Sequence, residues 1–203
     1  MTTAAQVSRA YPKARDVSHA LVALSGQLGI DPAWLANVIQ FESRWNPKAV
    51  NRSTGASGLI QFMPSTAMGL GTTVEAIRRM TAGQQMQYVA AYFRRFRGKL
   101  RSQEDVFMAV FYPVAVGRGA SYRFPARVSK VNPGIYTAGD YARKALRAAK
   151  LSPSPSSRAL STPSPGRRGG GGLVRRRRLI IGASAAAFAL IAITALVARR
   201  RMA

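Results

Sequence analysis

The spacing of apolar residues predicts a mainly helical domain over the first 150 positions of the chain. Apolar residues recur at intervals of three and four, and no stretch shows the alternation expected of a large sheet. The predicted helices cover residues 15–29, 31–45, 82–97, 102–113 and 138–150. Residues 46–71 are predicted as loop with short irregular elements, residues 117–134 as loop, and residues 1–13 as an N-terminal arm without the apolar core of a signal peptide.

The second predicted helix places an ionisable side chain on its apolar face. Asp31 followed by Pro32 is typical of a helix start, because the carboxylate caps free N–H groups and proline lacks one. The same face carries Leu35, Val38, Ile39 and then Glu42. Burial penalises a charged carboxylate, so we expect the pKa of Glu42 to lie above the ~4.3 of a free Glu. Such a group suits a general acid; the alternative is a Glu at the edge of the face whose carboxylate reaches water.

A Gly- and Ser-rich stretch follows this helix and carries the most specific sequence pattern. Residues 58–64 read Gly-Leu-Ile-Gln-Phe-Met-Pro. Together with Glu42-Ser43 they resemble the signature of soluble lytic transglycosylases. Residues 110–117 resemble the Tyr-containing third motif of that family, with Tyr112 in the tyrosine position and Pro113 where Asn is usual, a variant similar to that of phage-encoded members.

The resemblance covers about residues 25–147 and implies both a fold and a reaction. The implied fold is mainly α and lysozyme-like, of the goose-type/lytic transglycosylase kind. The implied reaction cleaves the β-1,4 bond between N-acetylmuramic acid and N-acetylglucosamine and leaves a 1,6-anhydro product, with Glu42 as acid and then base. A lysozyme-type muramidase, which hydrolyses the same bond with water, is the alternative on the same scaffold.

The resemblance also implies which side chains bind or shape the glycan. The matching substrate-binding positions are Ser43, Asn51, Gly58, Gln61, Met63 and Tyr112. Gln61 is expected to contact sugar rather than fill the core, and Tyr112 to hydrogen-bond near Glu42. Ser43 would orient the acid or finish the helix, and Asn51 stands where relatives often place a Ser that binds the N-acetyl group.

Composition narrows the chemistry further. The chain has no Cys and one His, His19, so thiol nucleophiles, thiolate metal sites and multi-His zinc sites are excluded, and we expect neither metal nor cofactor. The chain therefore lacks the residues that a zinc amidase or a Cys-His peptidase needs. Of seven acidic residues, Asp31, Glu104, Asp105 and Asp140 stand near predicted helix N-termini, where negative charge is favourable. A mechanism with a single acid fits this inventory better than one with two carboxylates.

The composition changes sharply after the helical domain, which we place at residues 14–150. Residues 151–174 are rich in Ser, Pro, Gly and Arg and are predicted as a flexible linker. Residues 175–203 contain a run of 20 uncharged positions, 179–198, with arginines at both ends. A helix of that length spans about 30 Å, the thickness of a bilayer core, so this run is predicted to be a transmembrane anchor.

The charge balance suggests anionic partners. The chain has 31 Lys and Arg against 7 Asp and Glu, and 21 of the basic residues lie within residues 1–150. This character suits peptidoglycan strands, the headgroups of a lipid membrane, packaged DNA or other virion proteins. We expect an enzyme anchored in the internal membrane of a bacteriophage virion that acts on the host cell wall during infection. A non-enzymatic, basic, membrane-anchored structural protein of the virion is the rival from another class.

Overall fold

The computed structural model describes residues 1–148, and this part of the chain is helical. Its α-helices are α1 (Ala4–Ala10), α2 (Ser18–Leu28), α3 (Pro32–Ser43), α4 (Pro64–Gly69), α5 (Val74–Arg79), α6 (Ala82–Arg94), α7 (Gln103–Phe111), α8 (Ala126–Val131) and α9 (Ala138–Ala148). Short 3-10 helices cover Pro12–Val17 and Pro113–Ala115. Strand pairing within residues 1–148 is limited to isolated bridges, so the mainly α prediction is confirmed for this part.

Helix α3 runs through the core of the domain. The Asp31 carboxylate accepts a hydrogen bond from the Ala33 N–H at 2.8 Å, and Pro32 occupies the first helical position, as predicted. Nearly all of its side chains are buried, on every side of the helix, and it packs against α1, α2, α7 and α9. The carboxyl end of α3 therefore carries Glu42 into the interior rather than to its edge.

The end of α3 differs from the prediction by two residues. The helix stops at Ser43 because Arg44 and Trp45 adopt left-handed backbone conformations, with φ of 51° and 64°. The Arg44 N–H still donates to the Gln40 carbonyl at 3.1 Å, which closes the last turn. The chain is thus redirected by the left-handed pair before it reaches the Asn-Pro sequence that was expected to stop it.

The predicted N-terminal arm is corrected, because it contains α1 and packs on the core. Thr3 caps this helix in a capping box, and Val7 is 1% exposed. The Tyr11 hydroxyl donates to Asn37 on α3, and the Asn37 amide donates to Gln103 on α7 at 2.8 Å. These buried polar contacts join the first residues to the central helix, a link that local periodicity could not reveal.

The remaining helix boundaries follow recognisable caps. Gly29 ends α2 with φ of 71°, Thr81 starts α6 with a capping box, and Ser102 accepts the Asp105 N–H at the start of α7. Helix α2 begins later than predicted, after a 3-10 turn, and α6 ends earlier, at Arg94. Helix α8 lies inside the segment predicted as loop; it has six residues and only Val128 buried, which is too short for a periodic signal.

The linker 151–174 and the anchor segment 175–203 lie outside the described residues, so both stay predictions. None of the helices within residues 1–148 combines the length and the apolar character that a bilayer crossing needs.

Candidate active site

The carboxyl group of Glu42 is enclosed by protein. The residue is 6% exposed, and its Oε2 atom is buried without a hydrogen-bond partner among residues 1–148. Desolvation by burial raises the pKa of Glu42 to about 8, so the neutral acid is the main form at pH 7. The prediction of a raised pKa is confirmed, and the low exposure of the residue argues against a Glu at the edge of the apolar face. A neutral carboxylic acid in such a place can donate a proton to a leaving group.

Two tyrosines that the sequence analysis did not select interact with this acid. Burial raises the pKa of Tyr92 on α6 and of Tyr141 on α9, and the charge of ionised Glu42 raises both further. The Tyr92 hydroxyl donates to the Ala109 carbonyl, whereas the Tyr141 hydroxyl has no hydrogen-bond partner in the described part of the chain. The Tyr141 ring stacks on Phe111 with centroids 3.8 Å apart. A buried hydroxyl without a hydrogen-bond partner among residues 1–148 is therefore close enough to the acid to feel its charge.

Tyr92 also connects the acid to the Gly-rich loop and to the surface. Its ring meets the ring of Phe62 edge-on, with centroids 6.4 Å apart. On its other side the Arg95 guanidinium lies 3.9 Å from the Tyr92 ring centroid and 5.1 Å from that of Phe96. This cation–π contact and the hydroxyl bond to α7 together fix the Tyr92 ring.

The loop after α3 is held by a buried amide that was also missed. Gln85, with 0% exposure, accepts the Leu59 N–H at 2.8 Å and donates to the carbonyls of Pro47 at 2.7 Å and Ile77 at 2.8 Å. Gly58 has φ of 81°, and a Cβ there would lie 2.5 Å from Gln85 Oε1. Glycine is therefore required at position 58 to let the loop backbone reach this side chain. A single Gln on an amphipathic helix gives no sequence signal for such a role.

Gln61 fixes this loop from within and is mostly buried, and its expected contact with sugar stays a prediction. It is 4% exposed and has φ of 53°. Its amide nitrogen donates to the carbonyls of Gly58 at 3.1 Å and Ala49 at 3.3 Å, while its Oε1 is buried without a partner. The left-handed turn at this residue folds the side chain back under its own loop.

Ser43 and Met63 have structural contacts as well. The Ser43 hydroxyl donates to the Ile39 carbonyl at 3.2 Å, so of its two expected roles the structure favours finishing the helix. Met63 is 4% exposed and packs with Ala56 at the start of α4. Neither side chain is presented on the surface of the domain.

Asn51 shapes a turn at the rim of the same loop. Its Oδ1 accepts hydrogen bonds from the Ser53 N–H at 3.0 Å, the Ser53 hydroxyl at 2.7 Å and the Thr54 N–H at 3.3 Å. These bonds are those of an Asx-turn and occupy the oxygen locally. The role in N-acetyl binding stays a prediction.

The contacts seen for the Tyr112 side chain are with residues other than Glu42, so its predicted hydrogen bond near the acid stays a prediction. It follows α7 and interacts with Tyr122 and Arg127, and its ring lies 5.4 Å from that of Phe124. The tyrosines that interact electrostatically with Glu42 are Tyr92 of α6 and Tyr141 of α9. Within residues 1–148, no three His, Asp or Glu side chains come together as metal ligands would.

Comparison with known proteins agrees with this arrangement. Residues 22–109 match the family model of the transglycosylase SLT domain. The matched range includes Glu42, the Gly58 loop and Tyr92 of the site. The helical architecture is consistent with the lysozyme-like form of the SLT domain, and the match covers Glu42-Ser43 and residues 58–64 but ends before the third motif at residues 110–117.

A relative from a bacterial virus supports the same family. The protein named Transglycosylase of Enterobacteria phage PRD1 is 47% identical over 51 residues, which cover 25% of this chain and 19% of the relative. The chain therefore matches about a fifth of the length of this relative. No solved structure gives a significant match. This chain is thus similar to a transglycosylase SLT domain over residues 22–109 and to part of a phage protein named Transglycosylase.

The Gln85 amide can be tested by the substitution Gln85→Leu. This change leaves the Leu59 N–H and the Pro47 carbonyl without the Gln85 partner, while the Ile77 carbonyl keeps the Met80 N–H, and each buried group left without a partner costs about 1–3 kcal/mol. We expect the free energy of unfolding to fall by about 3 kcal/mol in a urea titration. Gln87→Leu, on the exposed side of the same helix, is the matched control. Equal stability of the two variants would show that the loop does not depend on Gln85.

The raised pKa of Glu42 predicts a specific pH dependence of stability. The folded protein holds this proton to about pH 8, whereas an unfolded Glu releases it near its ordinary value of 4.5. Between these values the folded state binds more protons, so stability should fall with rising pH by up to about 1.4 kcal/mol per pH unit. Glu42→Gln removes this slope and should be the more stable protein above pH 8. Parallel stability curves for the two proteins from pH 5 to 9 would contradict the shift.

Proposed function

We propose that this protein is a lytic transglycosylase that cleaves the β-1,4 bond between N-acetylmuramic acid and N-acetylglucosamine in peptidoglycan. The observation on which this proposal depends most is the neutral, buried carboxyl group of Glu42. Its Oε2 has no hydrogen-bond partner among residues 1–148. Its place inside a segment that matches the SLT domain, and a phage relative named Transglycosylase, support the same reaction.

The proposed reaction uses Glu42 twice. The protonated carboxyl donates its proton to the glycosidic oxygen while the bond from that oxygen to C1 of muramic acid breaks. The carbonyl of the substrate N-acetyl group stabilises the positive charge that develops at C1. Glu42, now a carboxylate, takes the proton of the C6 hydroxyl, and the C6 oxygen bonds to C1 to close the 1,6-anhydro ring. The proton returned to Glu42 restores the enzyme.

The surroundings of Glu42 suit this cycle. Between the two proton transfers a carboxylate must exist briefly in an apolar site, which costs free energy unless a donor reaches it. The Tyr141 hydroxyl, which has no other partner within residues 1–148, is the donor we assign to that moment. No second carboxylate is needed, in keeping with Asp31, Asp105 and Asp140 being hydrogen-bonded to backbone N–H groups.

Digestion of purified peptidoglycan with the full chain, followed by mass analysis of the fragments, tests this reaction. We expect 1,6-anhydro ends, a rate that falls as pH rises through about 8, and a loss of at least about 10²-fold in Glu42→Gln. Free reducing ends would instead identify a muramidase that uses water. Undiminished cleavage by Glu42→Gln would remove this residue from the chemistry, and an inactive wild-type protein would favour the structural role in the virion.

We also propose a location, which the sequence suggests and the phage origin of the relative supports. Residues 179–198 would anchor the protein in the internal membrane of a bacteriophage virion, with the flanking arginines on lipid headgroups, packaged DNA or other virion proteins. The enzyme would then open the host wall as the genome is delivered.

Removal of lipid from purified particles tests the location. We expect the protein to leave the particle with the lipid fraction, because the apolar run of residues 179–198 would hold it in the bilayer. A protein that stays with the delipidated capsid, or one found only in the envelope of uninfected bacteria, would contradict the proposal without touching the chemistry of Glu42.

A further inference from the structure

A cavity of about 520 Å³ lies between α8 and the residues that precede α9. Its lining carries two cations, Arg123 and Lys130, together with the Ser129 hydroxyl and the ring of Tyr136, which is 54% exposed. No carboxylate lines it. The cavity is therefore open to a ligand and positively charged.

The positive charge of this cavity is not neutralised by the rest of the chain. All seven acidic residues lie within residues 1–148, and the ion pairs formed there join Glu75 to Arg78 and Asp140 to Arg143. Arg123 and Lys130 thus form no ion pair in this part of the protein, and the remaining residues contain no acidic side chain. The cavity is therefore suited to bind an anionic group of another molecule.

The cavity is built on a fixed frame. The Phe124 N–H donates to the Tyr136 carbonyl at 2.9 Å, and Arg123 pairs with Thr137 in a bridge, so the two sides of the cavity are joined through their backbones. Lys130 faces them from α8. The cationic groups are therefore held by ordered backbone rather than by a free loop.

Aromatic packing connects this cavity with the catalytic acid. The Phe124 ring, which lines the cavity, lies 5.6 Å from the ring of Phe111. Phe111 in turn stacks on Tyr141, and the charge of ionised Glu42 raises the pKa of that tyrosine. One ring, that of Phe111, thus separates the cavity lining from Tyr141, and this short distance is within the reach of a peptide arm.

We propose that the cavity binds a carboxylate of the peptide stem that hangs from N-acetylmuramic acid in the strand that Glu42 cleaves. This inference rests on the proposed function and assigns it a substrate class, peptide-bearing rather than naked glycan. The Arg123 guanidinium can hold a carboxylate through two parallel hydrogen bonds, with Lys130 as a second charge. The Tyr136 ring and Pro133 offer an apolar surface to the peptide backbone.

A peptide carboxylate fits this site better than a phosphate polymer does. Polymers of phosphodiesters are bound along rows of cations that follow an extended backbone. Here the two cations share one compact cavity with an apolar wall, which suits a single charged group at the end of a short arm. The stem peptide brings such a group close to the bond under attack.

The test compares two substrates and two double variants of the full chain. The substrates are peptidoglycan with its stem peptides and the same material after an amidase has removed them. R123A/K130A removes the two cations of the cavity, and K144A/R147A removes two exposed cations from α9 as the matched control. Thermal unfolding of both variants checks that they fold like the wild type.

We expect R123A/K130A to raise KM for peptide-bearing strands about tenfold, the effect of losing one charge-assisted hydrogen-bond pair, with kcat nearly unchanged. On stripped strands it should match the wild type, and K144A/R147A should match it on both substrates. Equal losses of R123A/K130A on both substrates, or the same loss in the control, would overturn the inference. So would wild-type kinetics of R123A/K130A on both.

A binding measurement separates failure of this inference from failure of the proposed function. Glu42→Gln protein, with and without R123A/K130A, is sedimented with the two kinds of peptidoglycan. Weaker sedimentation of the triple variant on peptide-bearing material alone would support the cavity even if no cleavage were seen. Displacement by inorganic phosphate or short DNA, without any effect of the stem peptide, would show a phosphate site and overturn the proposal.

Discussion

The Oε2 atom of Glu42 is buried away from water and gains no hydrogen bond in return from residues 1–148. The free-energy cost of this arrangement is met by the packing of α3, whose Leu35, Val38 and Ile39 are fully buried against neighbouring helices. Because the neutral acid suffers less from desolvation than the carboxylate, the same packing that stabilises the helix also keeps the proton in place. The packing of α3 thus determines both the stability of the helix and the protonation state of Glu42.

The segments around this acid store backbone strain. Within residues 1–148, the non-glycine residues with positive φ are Arg44, Trp45 and Gln61, and all three lie in the two motifs next to Glu42. Such conformations cost roughly 1–2 kcal/mol each and persist only when surrounding contacts enforce them. The Gln85 amide is one of these contacts, since it bonds to three backbone groups of the surrounding loops.

Local signals explain why part of this architecture was predictable. Asp31-Pro32 and the apolar spacing after it define α3 and place Glu42 on its apolar face, because both features depend only on neighbours within the helix. Gln85, by contrast, bonds to residues 26 and 38 positions away, and Tyr141 meets Glu42 from the last described helix. The burial of Gln61 was missed because a left-handed turn, which the sequence does not indicate at a glutamine, redirects its side chain. Long-range partners and unusual backbone angles are set by the whole fold.

The acidic residues have a consequence beyond their individual contacts. Several are committed inside the domain, since Asp31, Asp105 and Asp140 accept backbone hydrogen bonds and Glu42 is enclosed. Most of the charged side chains on the outer surface of residues 1–148 are therefore those of Lys and Arg. On a polyanionic mesh such a surface is held from many directions at once, so the protein can diffuse along the mesh without leaving it. Search for the next cleavage site would then be a sliding process, whose range is set by the ionic strength of the surroundings.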